Sequence, residues 1–236
     1  MSGPAYDVVV VGARVAGAGL ALRLARAGRR VLLLERSRRG ADTVSSHQVQ
    51  VPGGAVLARW GLLDALVRAG SVGATRARFD LEGVVLAAGF PTVDGVGAVH
   101  SPRRTLLDVT LLDAAVAAGA DLRERVVVDG VVEEGGRVVG VRGHDAGGRG
   151  FVERAPLVVG ADGRRSTVAR LVGAPVLHEA RRPTFATYGY LTGVDLGVTA
   201  RMYARPGLAV AAFPTDDRTV VVFAARPLSA LAEQRA

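Results

Sequence analysis

The chain opens on a short unbroken apolar run, Tyr6-Asp-Val-Val-Val-Val-Gly12, and a second follows at Val31-Leu-Leu-Leu-Glu35. Continuous apolar runs of this length, rather than alternation, mark strands buried on both faces. Between them, Val15 to Gly28 carries small residues with Leu20, Leu22 and Leu24 and reads as a helix that Gly28 stops. Strand, helix and strand together predict a βαβ unit of about 30 residues, the size of a mononucleotide-binding half.

Further on the pattern is mixed. Gly53 to Leu66 reads as a helix with a glycine break, and residues 72–100 alternate with several glycines, which predicts hairpins. Thr105 to Ala118 is a strong helix with Leu106, Leu107, Leu111, Leu112 and Ala115 on its apolar side. Arg125 to Val141 reads as strand, turn at Glu134-Gly-Gly136, and strand. Leu157-Val-Val-Gly160 is another buried strand, with a helix starting at Ser166. From Thr184 to Arg226 come short alternating segments, Thr187–Leu191, Ala209–Phe213 and Thr219–Ala224, which predict an antiparallel sheet, and Leu228 to Ala236 reads as a helix. The expected fold class is α/β: a Rossmann-like βαβ core with an inserted and appended antiparallel β-sheet layer. Residues 1–70 and 101–175 are assigned to a discontinuous core, and 71–100 and 176–236 to the β-rich layer.

Composition narrows the function classes. Of 236 residues, 49% are apolar, enough to offset chain entropy with a real core. No stretch approaches the roughly 18 consecutive apolar residues of a membrane span, and the N-terminus lacks the pattern of a signal peptide. The chain has no cysteine, so disulfides, thiolate metal sites and cysteine nucleophiles are excluded together. A cytoplasmic location is the expectation. The formal charge is +8, but every basic residue is arginine and the chain contains no Lys, Ile or Asn, as a GC-rich gene would produce. The arginines are scattered among acidic residues with no aromatic-studded stripe, so no nucleic-acid partner is expected. No serine-nucleophile elbow, metalloprotease helix or paired metal ligands occur.

The chemical signal lies at Gly12-Ala-Arg-Val-Ala-Gly17. In G-x-G-x-x-G the first glycine allows a tight turn, the second lets backbone approach a pyrophosphate, and the third lets helix and strand pack closely. The helix N-terminus behind them favours an anion. Here the middle position is Arg14. Glu35 closes the second strand 23 residues after Gly12. A carboxylate there can accept hydrogen bonds from both ribose hydroxyls and repels a 2′-phosphate, which disfavours NADP at this site.

The stretch DVVVVGARVAGAGLALRLARAGRRVLLLER resembles the N-terminus of FAD-dependent oxidoreductases of the para-hydroxybenzoate hydroxylase-like and geranylgeranyl reductase-like group, part of which carries GARxAG. Three further segments are similar in the same order: DTVSSHQVQVPGGAVLARWGLLDAL after the second strand, RRTLLDVTLLDAA as the R-x-x-L-x-x-x-L helix, and PLVVGADGRRSTVAR with its Asp162-Gly163 motif. The resemblance implies that Gly12, Ala13, Arg14, Val15, Ala16 and Gly17 hold the FAD pyrophosphate, and Glu35 with Arg36 the adenosine ribose. Arg104 would contact the pyrophosphate or ribityl chain, with Arg103 the neighbouring candidate; adjacent residues on a helix point about 100° apart, so one of the two reaches a cofactor. Val128 matches a position whose backbone lies against the adenine, though it also reads as an ordinary strand valine. Asp162 reads as a ligand contact at a strand end, a role that can coexist with capping of the helix that follows. His47 falls in the loop that faces the flavin in that group, or is a loop histidine bonded to backbone.

The resemblance implies an FAD-dependent monooxygenase acting on a small organic substrate, with NADH or NADPH as reductant. The cofactor carries the hard chemistry, so no catalytic side chain is named and no metal is expected. A geranylgeranyl reductase-like flavoprotein and a non-catalytic adenine-nucleotide-binding fragment are the alternatives. One departure bears on the choice. Related proteins carry a C-terminal Gly-Asp segment, and no Gly-Asp dipeptide occurs in this chain. The expectation is a β-layer truncated at its C-terminus, or a second chain that supplies the segment.

Overall fold

The computed structural model describes residues 5–45, 48–180 and 183–232. In chain order its elements are β1 (Val8–Val11), α1 (Val15–Arg26), β2 (Val31–Glu35), α2 (Val51–Arg59), α3 (Leu63–Arg68), β3 (Gly73–Ala74), β4 (Arg76–Leu81), β5 (Val84–Gly89) and β6 (Val99–His100). There follow α4 (Arg104–Ala117), β7 (Asp121–Glu124), β8 (Val126–Glu134), β9 (Arg137–Asp145), β10 (Gly150–Arg154), β11 (Leu157–Gly160), α5 (Thr167–Leu171), β12 (Thr184–Leu191), β13 (Thr199–Arg205), β14 (Leu208–Pro214) and β15 (Val220–Pro227). They form two compact units, residues 1–43 with 107–177 and residues 44–106 with 178–236. Residues 44–70 and 101–106, assigned from sequence to the nucleotide-binding core, thus fall in the second unit.

The first unit is built on a parallel sheet of order β11-β1-β2-β7. Its middle strands are covered on both sides. Helix α1 packs across β1 and β2. On one sheet face Val9, Val11, Leu32 and Leu34 join Val126, Val128 and Val141 of the antiparallel sheet β10-β9-β8 in a single core. Two-sided burial is why β1 and β2 are unbroken apolar runs. The edge strand β7, Asp-Leu-Arg-Glu, has no such run and is held by its backbone pairing with β2.

The second unit carries a six-stranded sheet of order β12-β15-β14-β13-β4-β5. It differs from the expected antiparallel layer in one pair: β13 runs parallel to β4, with Thr199 opposite Arg76. The two segments of the β-rich layer meet at this pair. The glycine break expected in the helix over 53–66 falls at Trp60-Gly61-Leu62, where Gly61 takes φ +75° and separates α2 from α3. Of the helix expected over 228–236, Leu228–Ala230 form a 3₁₀ turn and Leu231 and Ala232 are helical, while 233–236 lie outside the described residues. Among the described residues no helix is long and apolar enough to cross a membrane.

This unit also buries a polar network. Asp216, 4% exposed, accepts from the Arg103 backbone N–H at 2.8 Å and from Arg103 Nε at 2.9 Å. The Thr215 hydroxyl lies 2.8 Å from the same carboxylate. Burial pushes the Asp216 carboxyl up, but Arg103 and Thr215 outweigh it and hold it below the ordinary carboxylate range. His100, 4% exposed, faces Ser71 Oγ at 3.5 Å, and burial pushes its imidazole below the usual 6.5. A buried imidazole with a depressed pKa stays neutral where the unfolded chain takes up a proton, so stability falls as pH drops through about 6.5. Melting temperature should therefore decline between about pH 8 and pH 5, and His100→Gln should flatten that part of the profile. An unchanged slope in the variant would show that another group carries it.

Candidate functional site

The candidate site is built at the carboxyl edge of the parallel sheet, where β1, β2 and β11 end side by side, Val11 opposite Leu34 and Gly160. Ligands of open α/β sheets bind at such an edge. The turn from β1 to α1 begins at Gly12, which has φ +99° and donates its N–H to the Leu34 carbonyl at 2.8 Å. A Cβ on Gly12 would lie 2.5 Å from the Ala161 carbonyl oxygen and 2.9 Å from Asp162 Cα, both backbone atoms. A Cβ on Gly17 would collide with the Gly12 carbonyl oxygen. Both glycines are therefore fixed by close backbone approach. Helix α1 has no side-chain cap and no acidic residue in its first turn. Its leading N–H groups and dipole are open to an anion, with Val15 and Ala16 exposed beside them.

Glu35 ends β2 next to this turn and is 9% exposed. Its Oε2 accepts from the buried Ala13 N–H at 2.8 Å and its Oε1 from the Ser37 N–H at 2.9 Å. Each oxygen keeps a second lone pair. Glu35, Ser37, Arg38, Gly40 and Arg14 border a shallow pocket open to solvent. Arg36 is exposed.

Arg14 is neither pointed at the turn nor merely solvated. It donates to Asp108 Oδ2 at 2.8 Å and to the Ala41 carbonyl at 3.0 Å. Sequence reasoning missed Asp108, which sits buried among Leu107, Leu111 and Leu112 on α4. The usable signal was the arginine itself, since a charge in place of a glycine requires a partner.

The remaining candidates are placed as follows. The Val128 side chain is buried in the core under β1 and β2, so only its backbone is available to a ligand. Asp162 is engaged by the next helix: Oδ1 accepts from Ser166 Oγ at 2.5 Å, and Oδ2 from the Thr167 and Val168 N–H groups at 2.6 and 3.2 Å. Ser166 is the N-cap of α5, its Oγ accepting from the Ala169 N–H at 2.9 Å, and Asp162 supports this helix start from the preceding turn, a role that can coexist with a ligand contact. Asp162→Ala removes these bonds and should cost about 1–2 kcal/mol, read as a lower melting temperature; an unchanged melting temperature would contradict this support of the helix start. Of the two adjacent arginines, Arg103 is committed to Asp216 and Asp217 and lies 5.8 Å over the Tyr190 ring. Arg104 is the first residue of α4 and lies in the second unit. His47 lies outside the described residues; Ser45, two positions before it, donates its N–H to the Tyr188 hydroxyl at 3.0 Å. No group of three His, Asp or Glu suited to a metal ion occurs among the described residues.

An uncapped glycine-bounded helix start beside a buried carboxylate fits the pyrophosphate and ribose of a dinucleotide. The profile of the family described as "FAD binding domain" matches residues 5–234. The chain belongs to this FAD-binding domain family. Among relatives, 6-methylpretetramide 4-monooxygenase of Streptomyces rimosus is 38% identical over 173 residues, covering 72% of this chain and 41% of that protein. Squalene epoxidase 4 of Arabidopsis thaliana is 33% identical over 171 residues, covering 70% and 33%. The solved structure of the myxobacterial chondrochloren halogenase CndH, an FAD-dependent halogenase, superposes with a TM-score of 0.82 at 27% identity, covering 97% of this chain and 54% of that one. The chain spans less than half the length of the two relatives and about half of the halogenase. The parallel sheet, the antiparallel sheets and the α/β class agree with this FAD-binding family.

Proposed function

We propose that this chain provides the cofactor-binding and β-sheet parts of an FAD-dependent monooxygenase that acts on a small organic substrate, with NADH or NADPH as reductant. The carrying observation is the cradle at the sheet edge: Gly12 and Gly17 locked by backbone contact, an uncapped α1, and Glu35 buried beside them. In this reading the α1 N–H groups bind the pyrophosphate, Glu35 accepts from the ribose hydroxyls, and the Val128 backbone borders the adenine. FAD, when bound, supplies the redox chemistry. The chain's part is to fix the nucleotide, keep water from it and present the substrate. Arg36, Arg104 and Asp162 enter on the resemblance alone. The named monooxygenase and epoxidase relatives support oxygenation over other flavin chemistry.

Titration with FAD and with ADP tests the reading. Both should bind and compete for one site, and NADH or NADPH oxidation in the FAD-loaded protein should rise with an accepted substrate. A chain that binds neither nucleotide overturns the proposal.

A further inference from the structure

The segment that follows β2 is fastened at several points to α4, far away in the chain. Arg39 pairs with Asp113. Gly40 lies against Val109; a Cβ there would stand 3.7 Å from Val109 Cγ2. Arg14 reaches the end of the segment, donating to the Ala41 carbonyl at 3.0 Å and the Asp42 carbonyl at 3.4 Å while holding Asp108 at 2.8 Å. Arg14 has φ −79°, ordinary for any L-residue, so space is the only objection to a side chain in this turn. The guanidinium meets that objection by running across to α4. A planar fork of donors can serve a carboxylate and two carbonyls at once, which a lysine ammonium on a single point cannot match. The Asp108 side chain is 10% exposed, and a carboxylate at that depth requires a counter-charge.

We infer that Arg14 is a positioning residue: a strut from the phosphate-binding turn to α4 that holds residues 38–42 as a preformed wall of the ribose pocket. The inference rests on the nucleotide reading of that pocket. A wall ordered in advance spares the ligand the entropy of ordering it. Arg14→Gly would bring the turn closer to G-x-G-x-x-G and still weaken nucleotide binding.

The test uses the full chain and three variants, Arg14→Gly, Arg14→Lys and Arg14→Gly/Asp108→Asn, with ADP affinity by calorimetry and melting temperature. Arg14→Gly should lose about tenfold or more in ADP affinity, because the wall must be ordered on binding. It should also melt lower, because the buried Asp108 carboxylate loses its ion pair with Arg14. The double variant removes that charge and should recover most of the melting temperature while ADP affinity stays low. Arg14→Lys should fall between wild type and Arg14→Gly. An ADP affinity that recovers together with melting temperature would show a merely structural pair and overturn the strut. So would an Arg14→Gly variant that binds ADP as tightly as wild type. Hydrogen exchange of the nucleotide-free protein gives an independent reading. The Ser37 and Ala41 amides, bonded to Glu35 and to the Arg38 carbonyl, should exchange faster in Arg14→Gly. Unchanged exchange overturns the strut. Wild-type protein that binds neither ADP nor FAD, but shows the exchange difference, overturns the nucleotide reading and leaves the strut as a mechanical one.

Discussion

Gly12→Val should abolish copurification of FAD and lower the melting temperature on the order of 10 °C. Two independent costs act on this residue. At φ +99° a β-branched residue is a backbone outlier, and left-handed conformations cost about 1–2 kcal/mol for a residue with a Cβ. The Cβ would also stand 2.5 Å from the Ala161 carbonyl oxygen, 2.7 Å from its carbon and 2.9 Å from Asp162 Cα. These are backbone atoms at the end of β11, which β1 holds in parallel register, so no flexible side-chain tip can give way. Overpacking of this kind typically costs about 1–3 kcal/mol. The relief available is for β1 and β11 to part at their carboxyl ends. That moves the α1 N-terminus and removes the Gly12 to Leu34 hydrogen bond. Gly12→Ala carries the same clash with less bulk and should be intermediate. FAD retained in Gly12→Val would contradict the placement of the nucleotide at this turn.

Which parts of the molecule were legible in the sequence follows from how each residue is used. β1 and β2, the middle strands, have both faces buried, so runs of valine and leucine announce them, whereas β11, whose run also reads as buried, lies at the edge of the sheet with Leu157 exposed. The β8–β9 hairpin is announced by Gly135-Gly136, both at positive φ. β7 (Asp-Leu-Arg-Glu) and β10 (Gly-Phe-Val-Glu-Arg) are edge strands with no continuous apolar run, and what holds them besides backbone pairing is long-range: Phe151 packs on the core and Glu153 pairs with Arg123. Nothing local says that β13 lies beside β4 or runs parallel to it, because that choice is made between segments about 120 residues apart. The site divides the same way. Gly12, Gly17 and Glu35 could be read because backbone geometry demands those residue types at those spacings. The commitments of Arg14 to Asp108 and of Arg103 to Asp216 could not, since the partners stand 94 and 113 positions away.

Glu35→Ala should lower ADP and FAD affinity by about tenfold or more and destabilise the protein as well. The carboxylate has two tasks. Toward the ligand it offers acceptor lone pairs to the ribose hydroxyls, and each charge-assisted bond lost is worth about 1.5–3 kcal/mol. Toward the protein it accepts the Ala13 and Ser37 N–H groups, at 2.8 and 2.9 Å. Alanine leaves both donors unpaired, Ala13 in a buried position, at a cost of about 1–3 kcal/mol for a buried unsatisfied group. A fall in affinity could therefore come from a loosened turn rather than from a lost ribose contact. Glu35→Gln separates the two, because it keeps the shape and one acceptor while removing the charge. If Glu35 faces the ribose, its charge opposes a phosphate on the 2′ position, so wild type should prefer ADP over a 2′-phosphorylated adenosine nucleotide. That preference should narrow in Glu35→Gln, because the phosphorylated ligand gains relief from repulsion as ADP loses an acceptor. A loosened turn would weaken both ligands equally and leave the ratio where it was. An unchanged ratio alongside a lower melting temperature would mean that Glu35 braces the turn and does not touch the ribose.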